Sequence, residues 1–377
     1  MKAVLHVGPH KTGTTSLQAF LRINGERLFK QNVYIPKINS LDGTPNHWYL
    51  VHIGCRSLER AAAYHNSIRG GHDQASCQKL KSEYETLLRS CLAQYRNTEK
   101  QRGAPSKFVI STEEFTYLEQ DEANTIYRLL LEFCDSVEVL YYYRSPFDRL
   151  RSDIQQGVKG GHILDHSILI NLPCQDTIRI CRLLPESDLQ GSVKISIRPY
   201  MRDLDNAKDW DVRTDACDHL EIDQNELEIP LVDPGANKNI SLEMFALMRK
   251  VNTLMPAINP KTGTYNKLRH HIHDAIDAYK WSKHDTPFHF FDKDIEALKA
   301  NIDVFKAFLG FADSSPVIDL HPDCHKVIAR SIGLQADAGS SGSVFDVEPE
   351  LPTIYYANLL CQFWVHIHPE NGKNKKT

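Results

Sequence analysis

The chain has 377 residues, 41% of them hydrophobic, enough for one large domain or two small ones. A formal net charge of −4 supplies no global basic field of the kind that holds nucleic acid. No apolar run approaches the length of a membrane-spanning helix, and no charged stretch leading into an apolar one marks a secretory signal. Nine cysteines, odd in number, scattered and without a C-x-x-C pair, argue against a zinc site or a disulfide framework, and a cytoplasmic setting is expected.

The first strand, Ala3 to Val7, runs into Gly8-Pro9-His10-Lys11-Thr12-Gly13-Thr14-Thr15-Ser16 and then a helix reaching about Leu28. His6 reads as a buried strand residue. Gly8 and Gly13 let the backbone bend and approach an anion closely. The N–H groups that open the helix point at that anion, and the helix dipole favours negative charge there. Lys11 adds a full positive charge, and Thr12, Thr14, Thr15 and Ser16 add hydroxyl donors, so the segment reads as a phosphate cradle. The triphosphatase loop G-x-x-x-x-G-K-[ST] sets its Lys directly after the second Gly. Here Thr14 holds that place and Lys11 stands two residues before Gly13, which weakens the case for a metal-bound triphosphate. A Lys placed early in the loop can still reach a bridging oxygen between two anionic groups.

After a loop from Pro36 to Asn46, the short segment Asn46 to His52 brings His47 among Trp48 and Tyr49. Ser76 to Tyr95 has the apolar spacing of an amphipathic helix. Phe108 to Ser111 reads as a second core strand, with Thr112-Glu113-Glu114-Phe115 following it at the carboxyl edge of the sheet, where α/β clefts form. Asp121 to Phe133 is helical. Val137 to Tyr143, rich in β-branched and aromatic residues, is a buried strand that runs into Arg144-Ser145-Pro146-Phe147-Asp148-Arg149-Leu150-Arg151-Ser152. Pro146 suits the first turn of a helix, which puts Arg144 at a strand end and Ser152 on the helix. A mobile loop is expected around Gly157, Gly160, Gly161, His162 and His166. Val193 to Arg198 is another strand, Leu242 to Asn252 and Tyr265 to Tyr279 are helical, and Ala336 to Ser343 is loop-like, with Gly339 to Ser343 a flexible surface stretch. Thr353 to Ile367 docks as a last helix before a basic tail. Lys261-Thr262-Gly263-Thr264 echoes the first loop but follows Pro260, and reads as a turn.

Strands alternating with helices imply a three-layer α/β/α fold with a central parallel sheet. Residues 1–312 are expected to form the main domain, with 313–377 as a C-terminal extension docked on it. His162 with His166, and His321 with His325, stand four apart but lack a third ligand nearby, so no metal site is expected.

The order Lys-Thr-Gly-Thr-Thr after a strand resembles the 5′-phosphosulfate loop of sulfotransferases that use 3′-phosphoadenosine 5′-phosphosulfate (PAPS). The R-x-P-x-x-R-L-x-S run from Arg144 to Ser152 resembles the segment with which those enzymes hold the donor's 3′-phosphate. Weaker likenesses to the bacterial type follow at His47, Ser111-Thr112-Glu113, Arg198-Pro199-Tyr200 and Asn239-Ile240-Ser241-Leu242, so that the resemblance spans about residues 1 to 255. It implies a P-loop-like sulfotransferase fold and sulfuryl transfer to a hydroxyl acceptor, small molecule or glycan, with a carbohydrate favoured by analogy. It further implies that Lys11 neutralises charge at the bridging oxygen, that Thr12, Gly13, Thr14, Thr15 and Ser16 hold the 5′-phosphate, and that Arg144 and Ser152 hold the 3′-phosphate, all without a metal. The general base is left between Glu113, its neighbour Glu114, and His47. A P-loop-type nucleotide kinase or triphosphatase, and a non-catalytic nucleotide-binding protein, are the competing readings.

Overall fold

The structure is a computed structural model, and it describes residues 1–9, 11–38, 46–57, 60, 74–165, 167–201, 209–229, 240–254, 288, 290–299, 301–332 and 343. In chain order the strands are β1 (Lys2–His6), β2 (Val33–Tyr34), β3 (Lys107–Ser111), β4 (Ser136–Tyr143), β5 (Val193–Pro199) and β6 (Ile318–Leu320). The helices are α1 (Thr14–Ile23), α2 (Gly25–Lys30), α3 (Tyr49–Gly54), α4 (Gln74–Arg102), α5 (Gln120–Leu131), α6 (Pro146–Gly160), α7 (Ile168–Arg182), α8 (Val212–His219), α9 (Leu242–Leu254), α10 (Asp292–Lys299), α11 (Ile302–Ser314) and α12 (Cys324–Ile332). The chain divides into two compact units: Met1–Arg149 with Pro173–Asp233 and Asn301–Gly333, and Leu150–Leu172 with Pro234–Ala300 and Leu334–Thr377.

The first unit carries a six-stranded sheet in the order β2-β3-β1-β4-β5-β6, parallel at every described pairing. β1 lies between β3 and β4, with Leu5 level with Ile110 on one side and Val139 on the other. Such strands are buried on both faces, which is why Ala3-Val4-Leu5 and Val137 to Tyr143 read as near-continuous apolar runs. Val4, Val109, Leu140 and Tyr142 meet Leu17, Phe20 and Leu21 of α1 and Val212, Ala216 and Cys217 of α8. Alternation turns Tyr143 to the opposite face, where its ring stacks on Phe308 of α11 at 6.0 Å. Helices therefore cover both faces of the sheet, the expected three-layer α/β/α arrangement.

Two local features depart from the sequence pattern. The first helix breaks at Asn24, whose amide donates back to Phe20 O at 3.0 Å while its side chain also engages the Glu228 backbone. Its amide donates to Glu228 O at 2.7 Å and its oxygen accepts from Glu228 N at 2.8 Å. The glycine-rich stretch expected as a loop is helical through Gly160. A Cβ on Gly157 would meet Leu164 Cδ1 at 3.1 Å, so this glycine leaves room for a leucine to pack. The segment after residue 312 supplies both β6, which pairs with β5, and α12.

In the second unit, Gln155 of α6 accepts from Ile240 N at 2.9 Å just before α9 begins. Asn252 of α9 donates to Val158 O at 2.9 Å and to His162 O at 3.0 Å. Phe245 packs edge-on against Phe288 at 5.1 Å. His10, His166, Asn239, the turn expected at 261–264, the helices expected at 265–279 and 353–367 and the stretch 339–342 all lie outside the described residues. No helix among the described residues is long and apolar enough to cross a membrane.

Candidate active site

The carboxyl ends of three adjacent strands carry the expected residues. β1 ends at His6 and enters the Gly8–Gly13 loop, β3 ends at Ser111 before Glu113, and β4 ends at Tyr143 before Arg144. Val7 N donates to Leu140 O at 3.0 Å and Thr112 N to His6 O at 2.9 Å, so both ladders continue past the strand ends and fix where the loops leave.

Gly13 is the N-cap of α1, with a left-handed φ of +80° and no side-chain cap bond, and the first turn holds no acidic residue. The opening N–H groups of a helix lack intrahelical acceptors, so an uncapped end of this kind presents donors and the positive pole of the dipole. A Cβ on Gly13 would come within 2.8 Å of Val212 Cγ1, which makes glycine necessary both for the backbone and for the approach of α8. Gly8 is confined in the same way: a Cβ there would lie 2.8 Å from Thr12 Oγ1 and 3.3 Å from His6 Nε2. Lys11, half-buried, holds a left-handed φ of 71°.

The hydroxyls of the loop divide into two sets. Thr12, fully buried, donates to Pro9 O at 2.7 Å and so braces the loop from within. Thr14, also buried, donates to Glu113 Oε1 and ties the start of α1 to the end of β3. Thr15 is exposed and Ser16 half-buried. Outward-facing hydroxyl donors therefore come from Thr15 and Ser16, while Thr12 and Thr14 spend theirs on the scaffold.

Arg144 donates from Nη1 to Lys11 O at 2.9 Å and lies over the Tyr200 ring at 5.2 Å. Tyr200 in turn meets Trp210 edge-on at 4.9 Å. This aromatic support for Arg144 is foreshadowed only by the Arg-Pro-Tyr run that ends β5. Arg198 of that run is committed elsewhere: its guanidinium grips Asp215 in a fork at 2.7 and 2.8 Å, and Tyr142 OH donates to the same carboxylate at 2.8 Å. Ser145, buried, accepts from Asp148 N at 3.4 Å ahead of Pro146, the capping arrangement that starts α6. Ser152 is half-buried on α6, in the segment assigned to the second unit.

The two expected bases sit in different surroundings. Glu113 shares its carboxylate with Thr14 beside the loop. Glu114 accepts from Asn46 Nδ2 at 2.8 Å and from Thr112 Oγ1 at 3.0 Å, and so secures the segment before α3. His47 is pinned by backbone: Ser111 N donates to its Nδ1 at 3.0 Å, and its Nε2 faces Pro36 O at 3.2 Å. Burial lowers the His47 imidazole below its ordinary value, and the bonds to Ser111 and Pro36 offset this only in part.

His6 lies beneath the loop, 1% exposed, with Nδ1 at 2.8 Å from Ser111 Oγ. Burial pushes its pKa down to about 4, against the pull of the Glu113 charge. It stays neutral through the physiological range. His321 and His325 do not converge: His321 Nδ1 accepts from Asp323 N at 3.2 Å, and His325 pairs with Asp313 at 3.1 Å.

Fold and site together define a parallel α/β/α protein with an uncapped, lysine-bearing strand-to-helix loop at the centre of its sheet. No protein-family model and no curated protein matches the chain. Among solved structures, the sulfotransferase domain from the curacin biosynthetic pathway is similar at 13% sequence identity, over 80% of this chain and 96% of that one, with a TM-score of 0.34.

Proposed function

We propose that this chain is a PAPS-dependent sulfotransferase that moves a sulfuryl group to a hydroxyl acceptor. One observation carries the reading: the loop after β1 is bonded on one side to Glu113 and on the other to Arg144. A base, an anion cradle and a second cationic fork are thereby tied to one loop, as an in-line transfer between two oxygens requires.

The uncapped α1 terminus, with the backbone N–H groups of Gly13 to Ser16 and the hydroxyls of Thr15 and Ser16, suits a 5′-phosphate. The Arg144 fork suits a 3′-phosphate. PAPS supplies the activated sulfuryl group, with adenosine 3′,5′-bisphosphate as the leaving group. Lys11 neutralises charge developing on the leaving oxygen, so no metal is needed for that task. Glu113 takes the acceptor's proton, in preference to His47, whose ring faces backbone groups on both sides. A carbohydrate is the favoured acceptor, by analogy alone.

The test is transfer of labelled sulfuryl from PAPS across a panel of glycans, phenols and lipids, together with thermal-shift binding of adenosine 3′,5′-bisphosphate. Release of the bisphosphate with at least one acceptor, lost in Lys11→Ala, is expected. Stabilisation by ATP with Mg²⁺ but not by the bisphosphate would instead establish a kinase or triphosphatase.

A further inference from the structure

Among the described residues of the site, His6 has a task still unassigned. It closes β1, and its Nδ1 is held by Ser111 Oγ at 2.8 Å. Its Nε2 is buried and meets no hydrogen-bond partner among the described residues. That nitrogen is turned up into the loop, 3.3 Å from where a Cβ on Gly8 would stand. The imidazole edge lies against Tyr142 with ring centroids 5.7 Å apart, so the ring is held on its flank as well. Buried polar atoms are nearly always paired, and one left open beneath an uncapped helix end points to an acceptor that arrives with a ligand.

We infer that His6 is an anion-binding residue of the loop: its Nε2–H, directed upward beneath Gly8, donates to an oxygen of the phosphate or sulfate that the loop holds. In this assignment Ser111 Oγ donates its proton to Nδ1 at 2.8 Å, which leaves the hydrogen on Nε2. A neutral donor in this position reads the anion's oxygen without adding charge to the loop, so Lys11 remains the formal cation there. Its depressed basicity keeps that donor unchanged over the working pH range. This inference rests on the reading of the loop as an anion site, and the experiment separates the two.

Long-range ¹H–¹⁵N spectra of the imidazoles in the full chain, with His6 assigned from the His6→Gln variant, are recorded with adenosine 3′,5′-bisphosphate and with inorganic phosphate. The expected result is an Nε2–H tautomer from pH 5.5 to 8 whose Nε2 resonance moves on adding either probe, and His6→Phe binding about tenfold more weakly with circular dichroism unchanged. Movement with inorganic phosphate when the bisphosphate binds no tighter upholds His6 and overturns the nucleotide reading. Tight bisphosphate binding with an unmoved His6 resonance overturns His6 and leaves the nucleotide reading standing. Binding of neither probe overturns both.

Discussion

Arg144 holds the carbonyl oxygen of Lys11 from the neighbouring strand end, at 2.9 Å. Lys11 is in the left-handed region, an unusual conformation for a side-chain-bearing residue, and the guanidinium fixes the peptide that follows it. One residue thus shapes the loop and, in the proposed reaction, grips the donor's second phosphate. Arg144→Lys keeps the charge but loses the planar fork. Bisphosphate affinity is expected to fall about ten- to a hundredfold. Amide exchange at residues 11–14 should speed up in the free protein, measured by hydrogen–deuterium exchange, because the Lys11 carbonyl is released. Weaker binding without faster exchange would mean that Arg144 acts on the ligand alone.

Glu113 and His47 are expected to separate cleanly. Glu113→Gln keeps an acceptor for Thr14 but removes the base, so the chain should fold normally and turn over about 10²- to 10⁴-fold more slowly. His47→Ala leaves Ser111 N and Pro36 O without their buried partner and should cost about 2–3 kcal/mol in urea unfolding, with kcat nearly unchanged where the protein remains folded. The reverse pattern would move the base to His47.

Gly13 answers to two constraints, its φ of +80° and the 2.8 Å approach of Val212 Cγ1. Gly13→Ala should therefore destabilise by about 2–4 kcal/mol. Val212→Ala removes the steric part alone. In the double variant the two losses are expected to sum to less than their separate values, by about 1 kcal/mol in a thermal or urea cycle. Simple additivity would show that backbone conformation is the whole cost.

The depressed basicity of His6 makes stability depend on acid. The unfolded chain takes up a proton at this imidazole near pH 6.5, and the folded chain only near pH 4. Stability from this group is therefore complete above pH 6.5 and is lost as pH falls through the window to about 4, by about 3 kcal/mol at its lower end. His6→Gln should flatten that part of the curve of unfolding free energy against pH. An unchanged slope between pH 4 and 6.5 would assign the acid sensitivity to other groups.

Much of this organisation is legible in the sequence because parallel strands advertise themselves. Ala3 to Val7, Phe108 to Ser111 and Val137 to Tyr143 are apolar runs, each ending in polar residues at the sheet's carboxyl edge, so the loop, Glu113 and Arg144 can be placed before any coordinates. What stays hidden depends on contacts far apart in the chain. Nothing local says that Thr14 will spend its hydroxyl on Glu113, 99 residues away, or that both ring nitrogens of His47 will meet backbone. Helix α6 runs through Gly157 because Leu164 packs where a side chain would have stood. Strand β6, only Ile318-Asp319-Leu320, is too short to show a period of its own and is defined by β5 beside it.

That last strand sets the timetable of synthesis. Its partner β5 ends at Pro199, and more than a hundred residues must leave the ribosome before Ile318 arrives to pair with it. Until then the β5 edge presents unpaired backbone from Val193 onward, with Ile195 and Ile197 flanking it, an invitation to other nascent chains. Chains stopped at residue 312 would keep that edge open permanently. Expression trials that trim the C-terminus should therefore keep residues through α12, or they will trade a tidier boundary for inclusion bodies.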